Sequence, residues 1–203
     1  MKKVYYVMDV LCGWCFGVSD EINKFQNKYK DEFEFVVVPG GMWTGNYTQQ
    51  MNGNLATYIR EHNKSIEKLS GKKFGLGFNE MLDSKRVLDS LPGSKAIVLA
   101  QKMNKNLVFD FVREVQNAFF VEGKDLNDNK VYLEIAENLG LDKENFEKEL
   151  KSEKLEKETF EYFQSLSRLK VRSFPTIILE DNGDLKQIAQ GYSTMKEMEK
   201  NLL

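Results

Sequence analysis

The sequence predicts an α/β protein in which one layered domain is split by an all-helical insertion. Three observations predict it. A strand–helix–strand pattern occupies the first forty residues. A strand–turn–strand–helix pattern occupies the last thirty. Between them lie about 115 residues whose apolar positions follow the 3.6-residue helical period and show almost no strand pattern. The expected limits are 1–47 and 165–203 for the layered domain and 48–164 for the helical insertion. At 203 residues the chain is long enough to bury a core without a metal or disulfide staple.

The elements are justified in order. Val4-Tyr5-Tyr6-Val7-Met8 is a run of β-branched and aromatic residues and reads as a buried strand. Ser19 to Phe33 reads as an amphipathic helix, with Ile22, Phe25 and Tyr29 on one face. Phe33 to Val38 is a second strand, ended by Pro39-Gly40-Gly41. Two strands joined by a helix imply a parallel pair. In the insertion, Gln49 to Leu69, Ser94 to Met103, Leu107 to Phe120, Asn129 to Leu139 and Lys143 to Leu169 all read as helices. Pro92-Gly93, Gly123 and Asn138-Leu139-Gly140 punctuate them, and Gly71 to Gly77 reads as a loop. The charged run from Asp142 to Glu161 keeps one apolar face through Phe146, Leu150, Phe160 and Phe163, so it reads as a solvated amphipathic helix. Near the end, Thr176 to Leu179 and Leu185 to Ala189 are strands around an Asp181-Asn182-Gly183-Asp184 hairpin turn, and Thr194 to Leu202 is a short helix. The two outer units together make a thioredoxin-like layer.

Composition removes several functions. Lys plus Arg is 29 and Asp plus Glu is 31, a net charge of −2 that offers no field for a phosphate backbone, so no nucleic-acid partner is expected. No apolar run approaches a membrane span. Met1-Lys2-Lys3 opens like an export signal, but Asp9 interrupts the apolar stretch after Met8, and no cleavage site follows. Leu11 is not the small residue a lipid-anchor cysteine needs before it. The expected setting is cytoplasmic and off the membrane. Dinucleotide, nucleotide-triphosphate and serine-hydrolase motifs are missing from the sequence.

The cysteines carry the chemistry. There are two, Cys12 and Cys15, spaced C-x-x-C. Chance would place two cysteines at that spacing roughly 1% of the time in a chain of this length. Structural zinc wants four ligands and an iron–sulfur cluster four thiolates, so no metal site is expected. A structural disulfide closing so short a loop removes little unfolded-state entropy. What remains is a redox-active pair. It lies where a strand hands over to a helix, and the helix N-terminus favours thiolate, the species that attacks a disulfide. Cys12 would be the exposed nucleophile and Cys15 the partner that resolves the mixed disulfide. Trp14, between them, is either an apolar platform for substrate or packing for its own domain. His62, in a polar stretch, reads as a surface residue.

Val7-Met8-Asp9-Val10-Leu11-Cys12-Gly13-Trp14-Cys15-Phe16-Gly17 resembles the DsbA-like family of thiol–disulfide oxidoreductases. The likeness is to the protein-disulfide isomerase branch, whose sites read Asp, two residues, then Cys-Pro/Gly-Trp-Cys-aromatic. Phe174-Pro175-Thr176 resembles the family's cis-proline loop, and Phe119 to Leu126 and Leu133 to Leu141 resemble its helical-domain segments. The resemblance implies a thioredoxin-like fold with a helical insertion and exchange of disulfides with protein or peptide thiols. It also implies a cis Pro175 lying against Cys12, with Phe174 flanking the substrate groove. Asp9 matches the family's acid position and is either a proton-transfer group or a cap for the Cys-bearing helix. No cofactor is implied beyond the cysteine pair, which glutathione or a thioredoxin-type reductant would regenerate. Gly13 replaces a frequent proline, and no histidine separates the cysteines, which argues against a strongly oxidising member. A reducing compartment then makes reductase or isomerase work the expectation.

Two other classes remain open. Kappa-class glutathione transferases and hydroxychromene-carboxylate isomerases resemble this layout but carry serine where Cys12 stands. A binding module could instead hold a peptide without turnover, with Trp14, Phe174, Met42 and Trp43 lining its groove.

Overall fold

The computed structural model describes residues 2–202. The N-terminal unit is β1 (Lys2–Met8), α1 (Gly13–Tyr29) and β2 (Phe33–Pro39). There follow β3 (Gln49–Gln50), α2 (Gly53–Ser70), α3 (Leu76–Met81), β4 (Val87–Leu88), α4 (Leu91–Met103) and α5 (Val108–Phe120). Next come α6 (Asn129–Asn138), α7 (Lys143–Leu150) and α8 (Glu153–Arg168). The chain closes with β5 (Thr176–Asp181), β6 (Asp184–Gln190) and α9 (Met195–Lys200).

The main sheet has the order β2-β1-β5-β6. β1 pairs with β2 in parallel and with β5 antiparallel, and β5–β6 is an antiparallel hairpin. Its turn places Asn182 (φ 52°) and Gly183 (φ 92°) in the positive-φ region that a tight hairpin requires. β1 shows why a continuous apolar run was needed. Val4, Tyr6 and Met8 enter the main core with Phe16, Ile22 and Phe25, while Tyr5 and Val7 join Val38, Ile178 and Leu169 on the other face. Alternate side chains of this central strand are thus buried on opposite sides. The first face carries α1, and α8 contributes Tyr162 and Leu166 to the second.

The main core runs without a break from the sheet into the helices of the predicted insertion. Phe16 stacks on Phe120 (4.9 Å between ring centroids) and packs against Phe74 (5.4 Å). The predicted limit between residues 164 and 165 falls inside α8. Among the described residues no helix is long and apolar enough to cross a membrane.

Several boundaries differ from the sequence reading. Helix α1 begins at Gly13 rather than Ser19, because Cys12 caps it, and it ends at Tyr29. Gln49 and Gln50 are not helical: they pair with Leu88 and Val87, and Asn52 caps α2 by accepting from the Asn54 and Leu55 amides. Pro92 lies within the first turn of α4, where its missing N–H costs nothing, so the helix opens at Leu91. Leu76 opens α3 within the expected loop. The single helix expected from Lys143 to Leu169 is two, α7 and α8. Ser152 ends the first and caps the second, its Oγ accepting from the Leu155 N–H at 3.2 Å. The expected apolar face is divided accordingly: Phe146 and Leu150 of α7 are buried, while Phe160 of α8 is exposed.

Candidate active site

The site grows from the handover between β1 and α1. Cys12 is the N-cap, with extended backbone (φ −84°, ψ 110°), and its carbonyl starts the helix by accepting from the Cys15 and Phe16 amides. Its Sγ accepts from the Cys15 N–H at 3.3 Å, taking the role a serine or aspartate oxygen plays at other helix starts. The sulfur thus shares the Cys15 N–H with the Cys12 carbonyl and lies at the positive end of the helix.

Behind it Cys15 is fully buried. Its carbonyl accepts from the Tyr6 hydroxyl at 3.3 Å. Burial first, and then the neighbouring Cys12 sulfur, push the Cys15 thiol well above its ordinary range. No disulfide joins Cys12 and Cys15 here. Cys12 is less open than expected, only 7% exposed. The reason is the loop before β5: the Phe174–Pro175 peptide is cis, and the Cys12 thiol donates to the Phe174 carbonyl at 3.7 Å.

Asp9 is completely buried and ties three segments together. Its Oδ1 accepts from the Leu11 N–H and the Ser90 Oγ, both at 2.9 Å, and its Oδ2 accepts from the Met42 N–H at 2.7 Å. One carboxylate therefore fixes the loop before α1, the loop after β2 and the start of α4. Burial raises its pKa from the ordinary 3.8, against the opposing pull of those hydrogen bonds. Ser90 extends the tie. Its Oγ accepts from the Trp43 N–H at 3.1 Å, and its own N–H donates to the Trp43 carbonyl at 2.8 Å.

A cavity of about 660 Å³ opens over Cys12. Trp14, Met42, Trp43 and Phe174 all line it, each half-buried, so the structure brings together every residue considered for substrate contact. Pro175 and Asp9 stand behind this surface and not in it. The opposite wall comes from α2, through residues that include Tyr58, His62 and Asn63. His62 is exposed, as expected, yet its ring is 4.3 Å from that of Tyr58 at the cavity wall. Among the described residues no group of His, Cys, Asp and Glu is arranged to hold a metal ion.

Sequence reasoning missed Ser90, Gly40, Asn63 and Arg172. Ser90 carried a faint signal as a small hydroxyl two residues before Pro92. By sequence Gly40 is a loop residue, yet its bare Cα is what lets the Phe174 ring pack down: a Cβ there would lie 2.1 Å from the ring. Asn63 is brought in by tertiary contacts alone, while Arg172 sits two residues before Phe174.

Over residues 3–202 the chain matches the model of the DSBA-like thioredoxin domain. A Nitrosomonas europaea protein, provisionally described as a protein disulfide isomerase, has the same fold. Its TM-score is 0.90 at 22% identity, over 99% of this chain and 95% of that one. The cytosolic disulfide reductase DsbM from Pseudomonas aeruginosa is 27% identical with a TM-score of 0.83, covering 98% and 95%. A second DsbM structure, with GSH, gives 25% identity and a TM-score of 0.80 over 98% and 96%. The ClpXP adapter protein SpxH of Bacillus subtilis (strain 168) is 26% identical over 153 residues, 74% of this chain; the chain spans about half of that relative's length (49%).

Proposed function

The chain belongs to the DsbA-like thioredoxin-domain family, and from that premise we propose that it is a disulfide reductase that uses Cys12 and Cys15 and is recharged by glutathione. One observation carries the reading: the Cys12 Sγ caps α1, 3.3 Å from the Cys15 N–H, on the floor of a cavity beside the Phe174 carbonyl. The likeness to DsbM supports the reductive direction and a cytoplasmic setting.

The cycle runs as two exchanges. The Cys12 thiolate attacks one sulfur of a protein or peptide disulfide. That S–S bond breaks, a Cys12–substrate disulfide forms, and the departing thiolate takes a proton. Cys15 then attacks the Cys12 sulfur, and its proton passes to the second departing thiol. Two electrons have moved from the pair to the substrate, leaving a Cys12–Cys15 disulfide. One glutathione opens it as a mixed disulfide and a second removes the first, releasing glutathione disulfide and restoring both thiols. Burial and the neighbouring Cys12 sulfur raise the Cys15 thiol, which favours Cys12 as the sulfur that attacks first. Asp9 serves as a positioning residue that holds the cysteine loop against the Met42 and Ser90 segments.

Insulin reduction driven by reduced glutathione tests this. The wild-type chain accelerates it, Cys12→Ser abolishes the acceleration, and Cys15→Ser accumulates a mixed disulfide on Cys12. Turnover that survives Cys12→Ser overturns the reading. Saturable glutathione transfer to an electrophile with no thiol–disulfide exchange would favour the transferase-type alternative.

A further inference from the structure

We propose that Arg172 makes the cavity selective for anionic thiols, small peptides with a free carboxylate such as glutathione, over neutral thiols of equal reactivity. The inference rests on the exchange reading above and adds a residue and a charge preference to it.

The lining of the cavity is unlike the rest of the chain in charge. The chain carries 31 acidic and 29 basic residues, yet no Asp or Glu lines the cavity, and Arg172 is its one guanidinium or ammonium group. Some cations elsewhere in the chain are already engaged. Lys72 pairs with Asp20, Lys95 with Glu156, and Arg86 donates to the Gly123 and Lys124 carbonyls. Arg172 has no ion pair and no side-chain hydrogen bond among the described residues. An anion entering the cavity meets one free fork of N–H donors and no competing carboxylate.

Position matches that chemistry. Arg172 precedes by two residues the Phe174 carbonyl that faces the Cys12 sulfur. In a tripeptide thiol the end carboxylates lie up to about two residues of chain, about 7 Å, from the central sulfur. With its sulfur at Cys12, such a thiol would occupy the cavity that Arg172 also lines. The volume of about 660 Å³ suits a ligand of this size.

The test compares reduced glutathione with its glycine monoethyl ester, which keeps the thiol and the size but removes one carboxylate. The full chain is oxidised, and its reduction by each compound is followed by quenching, alkylating and counting the protein's own thiols by mass. For the wild type the ester should show a KM about fivefold higher than glutathione, with little change in kcat, as an Arg–carboxylate contact open to water allows. In Arg172→Gln the ratio should fall to about one through a rise in the glutathione KM, while Arg172→Lys should keep part of it. A lost fold would change both compounds together and leave the ratio in place. Equal KM values for the two compounds in the wild type, or an undiminished ratio in Arg172→Gln, overturn the inference and leave the exchange reading standing. Failure of the Cys12–Cys15 disulfide to react with either compound removes both.

Discussion

Gly40→Ala tests whether the fit of the Phe174 ring shapes the site. A Cβ on Gly40 would lie 2.1 Å from Phe174 Cζ, 2.3 Å from Cε1 and 2.9 Å from Cε2. Ordinary contact begins near 3.4 Å, so the ring must retreat by about 1.3 Å. Gly40 does not occupy the positive-φ region, so alanine adds no backbone strain. The displaced atoms are the far end of a half-buried side chain that borders an open cavity. The ring can therefore swing outward, and the stability cost falls at the low end of overpacking, about 1 kcal/mol. For a chain of this length that lowers Tm by about 2–4 °C. The larger effect is on function, because the ring moves into the cavity and drags the carbonyl that faces Cys12. Misplacement by about 1 Å can cost about 100-fold in rate. The carbonyl moves less than the ring, so kcat/KM for glutathione-driven insulin reduction should fall about tenfold. Urea unfolding of a double-mutant cycle with Phe174→Ala isolates the contact. Without the ring, Gly40→Ala should cost nothing or stabilise slightly through the unfolded state. Equal costs in both backgrounds, with activity unchanged, would refute the argument.

Three further outcomes follow from the same structure. Gly77→Ala should cost more than Gly40→Ala, about 3 kcal/mol in urea unfolding with unchanged m. Its Cβ would meet the Glu122 carbonyl oxygen at 2.1 Å, and backbone cannot swing aside. Ser90→Ala should cost about 2 kcal/mol in the same assay, because it removes a donor to buried Asp9 and the acceptor for the Trp43 N–H; a loss below about 0.5 kcal/mol would show that Ser90 is not a tie. Burial and its hydrogen bond to Glu180 push the Tyr5 hydroxyl up to about 12, from an ordinary 10.0. An acid raised by folding contributes stability that is full below pH 10 and is lost as pH rises toward 12, so denaturant titrations across that window should show a decline that Tyr5→Phe lacks.

The parts of the fold that were legible are those written in local pattern. Val4 to Met8 announced a central strand because every residue in it is buried, and Asn182-Gly183 announced its hairpin because few other residues accept both backbone conformations. The cysteine spacing pointed to Cys12 and Cys15, and Trp14, Met42, Trp43 and Phe174 line the cavity that Cys12 also lines. The errors came where a local signal was overridden or missing. The sequence signals the start of α1 six residues late because Cys12-Gly13-Trp14-Cys15 lacks the usual Ser, Thr, Asp or Asn cap, and a sulfur does that work instead. β3 and β4 are two residues each and exist only through pairing between distant positions, Gln49↔Leu88 (39 apart) and Gln50↔Val87 (37 apart). The low exposure of Cys12 could not be read from spacing, since it is the Phe174 loop, 162 residues away, that lies against it. Ser90 was invisible for the same reason: its importance lies in Asp9, 81 residues earlier.

The central claim is that Cys12 and Cys15 cycle as one two-electron pair. Equilibrating the full chain in graded mixtures of reduced and oxidised glutathione, then counting free thiols by alkylation and mass, tests it directly. The account predicts a single reversible passage from two thiols to an internal disulfide, with a midpoint near the thioredoxin end of the scale, about −270 mV. A midpoint near −120 mV, roughly that of a strong oxidant, would contradict the reductive direction. Failure to form the internal disulfide at any ratio would contradict the pair itself.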